Sequence, residues 1–167
     1  QNKTFIKNLQ SDKYNNDLLM KQILDFLMDN QVNFGDISEI LVNQGPGNFS
    51  SLRGSLAIAK GISLANNLKL YGYDTFLWAS TKFFNKKDLI CCLTKHRDKY
   101  FLKKFDKNLI SDSTIKEITK DEIIQKYNSS LKVITKNSSQ YFDREILKLS
   151  NVNIVTLEHK ELEFLRL

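Results

Sequence analysis

Proline stands once in this 167-residue chain, at Pro46, and cysteine and histidine twice each. The two cysteines, Cys91 and Cys92, are neighbours. In a strand their side chains leave on opposite faces, so they build no disulfide framework, and the chain reads as one for a reducing, cytosolic compartment. No Cys-x-x-Cys pair is present and His96 and His159 lie far apart in sequence, which argues against a tetrahedral transition-metal site. No apolar run approaches the ~20 residues that a membrane helix needs. No basic start, apolar core and small-residue cleavage site line up as a secretory leader. The chain opens on Gln1 rather than Met, as a processed or truncated product does. Arginine is scarce too: Arg53, Arg97, Arg144 and Arg166 are four of 25 basic residues, the rest being Lys. The formal charge is +6 and the pI about 9.2. That balance suits a nucleic-acid partner, whose binding would weaken steeply with salt. The abundance of Lys, Asn and Ile offers the plainer account, a compositional bias.

What is present is enough apolar sequence, 41%, for one α/β unit or two small lobes. Thr4 to Leu9 alternates weakly, as a short strand does. Asn15 to Met28 is expected to be helical, because Leu19, Ile23 and Phe26, and beside them Met20, Leu24 and Leu27, recur at helical spacing. The apolar arc is wide enough to need two packing partners. Beyond it the pattern predicts strands at Glu39–Asn43 and Leu68–Asp74, with a helix from Phe49 to Asn66 between them and another from Thr75 to Phe84. After the polar break Asn85-Lys86-Lys87-Asp88 it predicts strands at Leu89–Leu93 and Tyr100–Phe105, a short helix at Asp121–Tyr127, a strand at Leu131–Thr135, a helix at Ser139–Leu149 and a strand at Val152–Val155. Asp112, Asp121 and Ser139 are candidate caps or turn residues. The alternation argues for α/β layers: a central sheet with helices on its faces in the N-terminal half, residues 1–84, and a smaller α/β lobe over residues 85–167.

The stretch Gln44-Gly45-Pro46-Gly47-Asn48, between a strand and a helix, carries the most information. Gly45 and Gly47 permit positive φ or a close backbone approach, and Asn48 or Ser50 is placed to cap the helix. Free N–H groups at a helix start can face a phosphate, but neither the Walker nor the Rossmann spacing is present; an ordinary strand–helix turn fits as well. Within the helix, Gly54 and Gly61 lie seven apart on one face, and each costs ~1 kcal/mol relative to Ala. With Ala57 they make a small face suited to close backbone approach, either of the protein's own sheet or of a partner's helix. Arg53 and Lys60 frame it.

Gly45-Pro46-Gly47-Asn48-Phe49-Ser50-Ser51-Leu52-Arg53 resembles the Gly-Pro-Gly-Ser-Phe-Thr-Gly-Leu-Arg motif of the TsaB family, also called YeaZ. Asn48 stands for the usual Ser, Ser50 for Thr and Ser51 for Gly. Ala57-Ile58-Ala59-Lys60-Gly61 continues the likeness, which is good over roughly Tyr14 to Ser80. The resemblance implies the fold shared by actin, heat-shock chaperone ATPases and sugar kinases, with ribonuclease H-like lobes. It also implies a non-catalytic relative of TsaD, the transferase that makes threonylcarbamoyladenosine in tRNA. TsaB pairs with TsaD through two N-lobe helices, here Asn15–Met28 and Phe49–Asn66, and TsaE joins the complex. Leu19, Ile23, Phe26, Arg53, Gly54, Ala57, Lys60 and Gly61 are then the expected partner surface, which can self-associate into a symmetric dimer when TsaD is absent. TsaD's His-x-x-x-His metal motif falls at about Tyr71 to Ser80, where this chain has no His, so no metal and no catalytic residue are expected. The family's opening strand with its phosphate-binding Asp has no counterpart in these residues. No cofactor is therefore expected on the chain alone, a nucleotide at the complex interface being left open, and tRNA is expected to be met through the complex.

Three lookalikes carry less. His96-Arg97-Asp98 mimics a kinase catalytic loop, but Lys103 stands where Asn is required and no glycine-rich ATP loop precedes it, so a hairpin turn is expected. Asp121 and Glu122 diverge on a helix. Glu158-His159-Lys160-Glu161 lacks the His-Glu-x-x-His order of a zinc site. The competing function is an enzyme in its own right, a peptidase of the type older family labels suggest, or an acyl or phosphoryl transferase.

Overall fold

The computed structural model describes residues 4–7, 18–111 and 114–166, and the chain folds as two compact units, 1–75 and 76–167. The division falls between Thr75 and Phe76, and the polar break at Asn85 lies within the second unit. Phe76 and Ala79 are buried with Ile90 and Cys92, which is why that helix belongs with the later strands.

In the first unit, residues 4–7 form no strand; positions 8–9 and 15–17 lie outside the described residues. Helix α1 runs Leu19–Asp29 with an i,i+4 pair, Lys21–Asp25 at 2.7 Å, on its polar side. Strand β1 (Glu39–Asn43), helix α2 (Phe49–Asn66) and strand β2 (Lys69–Tyr73) make a βαβ unit, with β1 and β2 parallel from Glu39↔Lys69 to Asn43↔Tyr73. Helix α2 starts where Asn48 accepts a hydrogen bond from the Ser51 N–H at 3.2 Å. It stops where Asn67 turns left-handed at φ 51° and the Leu68 N–H reaches back to the Ser63 carbonyl. Ala59 and Ile62 are buried on the side facing β1 and β2.

The larger sheet lies in the second unit rather than in the N-terminal half. Helix α3 (Thr75–Ser80) continues into a 3₁₀ turn at Thr81–Phe83. Strands β3 (Ile90–His96), β4 (Lys99–Phe105), β5 (Lys116–Ile118), β6 (Leu131–Thr135) and β7 (Val152–Val155) stand in the order β5-β4-β3-β6-β7. Helices α4 (Lys120–Gln125), α5 (Lys136–Ser139) and α6 (Arg144–Leu147) follow in the connections, and a 3₁₀ segment spans His159–Arg166. β3 and β4 are antiparallel, while β3, β6 and β7 are parallel, so the sheet is mixed with helices on both faces. Successive β3 side chains sort into two cores. Cys91 and Leu93 pack with Ile123 of α4 and Ile146 of α6, whereas Ile90 and Cys92 pack with Phe76 and Ala79. Neither thiol is in a disulfide, and the two are buried on opposite faces, as the period of two requires.

Arg97 and Asp98 form the hairpin turn between β3 and β4, with Arg97 at φ 55°. Thr119, not Asp121, caps α4 in a reciprocal box with Glu122. Of the helix expected over Ser139–Leu149, only Arg144–Leu147 (α6) is helical beyond Ser139, with Phe142 turned into the core and Asp143 at the cap position of α6. Ser139 ends α5, and Asp112 lies outside the described residues. Among the described residues, no helix is long and apolar enough to cross a membrane.

The charge divides unevenly. The first unit balances seven basic with seven acidic residues, and the second carries eighteen basic against twelve acidic, so the whole +6 resides there.

Candidate partner-docking surface

The glycine-rich turn leaves the carboxyl end of β1, where open α/β sheets gather their functional groups. Gly45 is buried at φ +98°, and a Cβ there would stand 2.9 Å from Leu52 Cδ1, so the position demands glycine. The Asn43 side chain closes the turn by accepting from the Gly45 N–H at 2.7 Å, and the Thr75 N–H donates to the Gly45 carbonyl at 2.7 Å. Gly45, Pro46, Gly47 and Asn48 thus deliver the chain into α2, and Asn48 supplies the cap that Ser50 was an alternative for. Asn43 and Thr75 were not singled out from the sequence. Asn two residues before a glycine is an Asx-turn signal, but Thr75 is 32 positions away and gives no local sign.

Along α2, Arg53, Ala57, Lys60 and Gly61 are exposed and Gly54 is half-buried. A Cβ at Gly61 would meet nothing within 4 Å. At Ala57 and Gly61 the small face is therefore turned away from the protein's own sheet. Two large apolar side chains flank it: Phe49 is 70% exposed and Leu64 73%. The Arg53 guanidinium lies 5.2 Å from the Phe49 ring centroid, a contact that holds that ring at the surface. Leu64 was missed from the sequence; its position, three residues beyond Gly61 on the same face, was the available signal.

Helix α1 has no buried residue at all. Leu19, Ile23 and Phe26 are half-buried, and Leu24 and Met28 are exposed, Met28 at 73%. An amphipathic helix normally hides its apolar stripe, so the first unit presents more apolar surface than its own elements cover.

In the second unit the polar groups are engaged with one another. The Tyr100 hydroxyl donates to Asp143, whose carboxylate also lies 3.6 Å from Lys95 Nζ. Burial, reinforced by the Asp143 carboxylate, pushes Tyr100 up to about 12. Its folded value lies above the ordinary ~10, so the phenol favours the folded state below about pH 10, and that contribution is lost as pH rises towards 12. In an absorbance titration of the folded chain, one of the six tyrosines should ionise last, near pH 12, and Tyr100→Phe should remove that step. A titration complete well below that pH would contradict the assignment. The Glu158-His159-Lys160-Glu161 stretch is structural: the Trp78 indole N–H donates to the Glu158 carbonyl at 3.1 Å, and Lys82 pairs with Glu158 and Glu161. Among the described residues, no group of three or more His, Cys, Asp or Glu side chains is placed to hold a metal ion.

Comparison with known proteins places this architecture. Over 90% of the chain, the fold matches a Pseudomonas aeruginosa protein described as uncharacterized with similarity to peptidase YEAZ, covering 73% of that chain with a TM-score of 0.65 at 12% identity. YeaZ from Pseudomonas aeruginosa matches over 89% of this chain and 73% of its own, with a TM-score of 0.65 at 13% identity. The class is thus the α/β fold of the YeaZ structures.

Residues 10–144 match the family described as TsaD: tRNA N6-adenosine threonylcarbamoyltransferase. The tRNA threonylcarbamoyladenosine biosynthesis protein TsaB of Buchnera aphidicola subsp. Baizongia pistaciae (strain Bp) is 41% identical over 63 residues, 36% of this chain and 28% of the relative. The protein of the same name from Buchnera aphidicola subsp. Acyrthosiphon pisum (strain APS) is 24% identical over 93 residues, 54% of this chain and 42% of the relative. The chain belongs to the tRNA N6-adenosine threonylcarbamoyltransferase family, and the curated relatives it resembles are TsaB proteins. Its matches span less than half the length of each of those two relatives.

Proposed function

We propose that this chain is a non-catalytic subunit of the cytoplasmic assembly that makes N6-threonylcarbamoyladenosine at position 37 of tRNAs. It docks a TsaD-type transferase through α1 and α2, and TsaE joins that pair. The observation that carries this reading is the outward Ala57/Gly61 face of α2, open at Gly61 and flanked by exposed Phe49 and Leu64. A small-residue helix face beside large exposed apolar side chains is built for another helix to approach closely. The chain brings scaffold rather than chemistry: Tyr71 to Ser80 contains no His, and the side chains of His96 and His159 lie on separate elements. It binds no cofactor of its own, a nucleotide being held, if anywhere, at the interface with the transferase. tRNA is reached through the complex, and the basic second unit favours its approach.

The competing reading, a peptidase or an acyl or phosphoryl transferase, is separated by assaying the purified chain alone for ATP hydrolysis and peptide cleavage, and then with the transferase for threonylcarbamoyl transfer to tRNA. The expected result is no turnover alone and stimulation of the transferase in the mixture. Turnover by the isolated chain that survives stringent purification would overturn the scaffold assignment.

A further inference from the structure

We propose that Asn43 and Thr75 form a clamp that sets the glycine-rich turn and thereby positions Phe49 and Arg53 for the partner; this rests on the docking reading above. The hydrogen bonds around the turn centre on the Asn43 amide and the Thr75 hydroxyl. Asn43 Nδ2 lies 3.1 Å from Thr75 Oγ1, and Thr75 Oγ1 lies 3.3 Å from the Pro46 carbonyl. Asn43 Oδ1 is occupied by the Gly45 N–H at 2.7 Å. A hydroxyl has one proton to give and an amide oxygen none. Thr75 Oγ1 also lies 3.3 Å from Asn43 Oδ1, so the hydroxyl proton has two acceptors in reach, the Pro46 carbonyl and the Asn43 amide oxygen, while Asn43 Nδ2 donates to the hydroxyl and the Thr75 N–H serves the Gly45 carbonyl. Two side chains thereby hold both residues of the Gly45–Pro46 pair.

The clamp reaches the surface through packing. Gly45 is buried and sits against Leu52 of α2, whose N–H closes the first helical turn onto the Asn48 carbonyl at 2.9 Å. Phe49 opens that first turn and Arg53 stands one turn later on the same side, its guanidinium 5.2 Å from the Phe49 ring centroid. A shift of the turn therefore displaces the exposed ring, while the buried Ala59 and Ile62 further along α2 keep the helix on its sheet. Asn43 and Thr75 are positioning residues: they act on the docking surface through the turn.

The chemistry dictates the variants. Thr75→Val removes the hydroxyl and keeps the shape, Thr75→Ser keeps the hydroxyl, and Asn43→Ala removes both ends of the amide. Affinity for the TsaD-type transferase is measured together with amide exchange of Gly45 and thermal unfolding. Asn43→Ala and Thr75→Val should each weaken binding by about tenfold, and the double variant should lose little more than the worse single one, as coupled residues do. Thr75→Ser should restore affinity to within about twofold of the parent. Gly45 exchange should quicken in Asn43→Ala. Unchanged affinity in a folded Asn43→Ala chain whose Gly45 amide exchanges faster would overturn the clamp, as would fully additive losses or a Thr75→Ser chain as weak as Thr75→Val. Gly61→Leu serves as the control. If it too binds like the parent, the docking surface itself is wrong; if it abolishes binding while the clamp variants do not, only the clamp falls.

Discussion

Gly61→Leu should weaken both self-association and binding to a TsaD-type transferase by at least about tenfold while leaving the fold intact. The argument is steric. Gly61 is exposed on α2, and a Cβ built there meets no atom outside the local helix backbone within 4 Å, so a side chain can leave the helix there without a clash at its base. A helix approaching that face would meet the whole added side chain, and overpacking a tight contact costs ~1–3 kcal/mol. Replacing Gly by Leu also favours the helix by several tenths of a kcal/mol, so thermal unfolding should hold steady or rise. Ala57→Leu, one turn earlier and also exposed, should act in the same direction. Folded variants that associate as the parent does would remove the small face from the interface. Variants that unfold would mean that this face packs on the protein itself, against the exposure seen at both positions.

Lys132→Met should destabilise the second unit by about 3 kcal/mol, the order expected when a charged donor is taken from several acceptors. Lys132 is fully buried on β6, yet its Nζ donates to three carbonyls: Asn128 at 2.8 Å, Ser130 at 3.0 Å and Ser150 at 3.2 Å. The ammonium ties the turn that enters β6 to the one that enters β7. Burial pulls its pKa down from the ordinary lysine value, and the three carbonyls are what make the buried charge tolerable. Met keeps most of the apolar stem and removes every donor, so the loss reads out the hydrogen bonds rather than a cavity. In a chain of this size the change corresponds to a fall of roughly 6–12 °C in melting temperature. A shift under about 1 °C would mean that water serves those carbonyls equally well.

The elements that were legible are those whose signals are local. Helix α2 is readable at Phe49–Asn66 because a capping Asn48 precedes it and an asparagine pair ends it. β1, β6 and β7 follow from short apolar runs bounded by polar turns. What was not legible depends on distant partners. Asp143 stands at the cap position of α6 with its carboxylate held by Tyr100, 43 positions away, a partner that the Ser139–Leu149 pattern does not contain. β5 is three residues long, too short to show alternation, and is recruited by β4 through Tyr100↔Ile118. The motif itself was readable from Gly45 to Arg53, and so was the small face, but periodicity gives a face and not its direction. Only the exposure of Ala57 and Gly61, beside Phe49 and Leu64, shows that it points outward. The pairing of Asn43 with Thr75 needed the β1–α2–β2 crossover to bring the two together.

The most direct test of the scaffold assignment is sedimentation of the purified chain mixed with the TsaD-type transferase of the same organism, over a range of ratios. One chain should join one transferase, and any dimer of the chain alone should give way to that heterodimer, because the α1–α2 surface is proposed for both. A folded chain that sediments independently of the transferase at every ratio, or that binds it while its own dimer stays intact, would contradict the account.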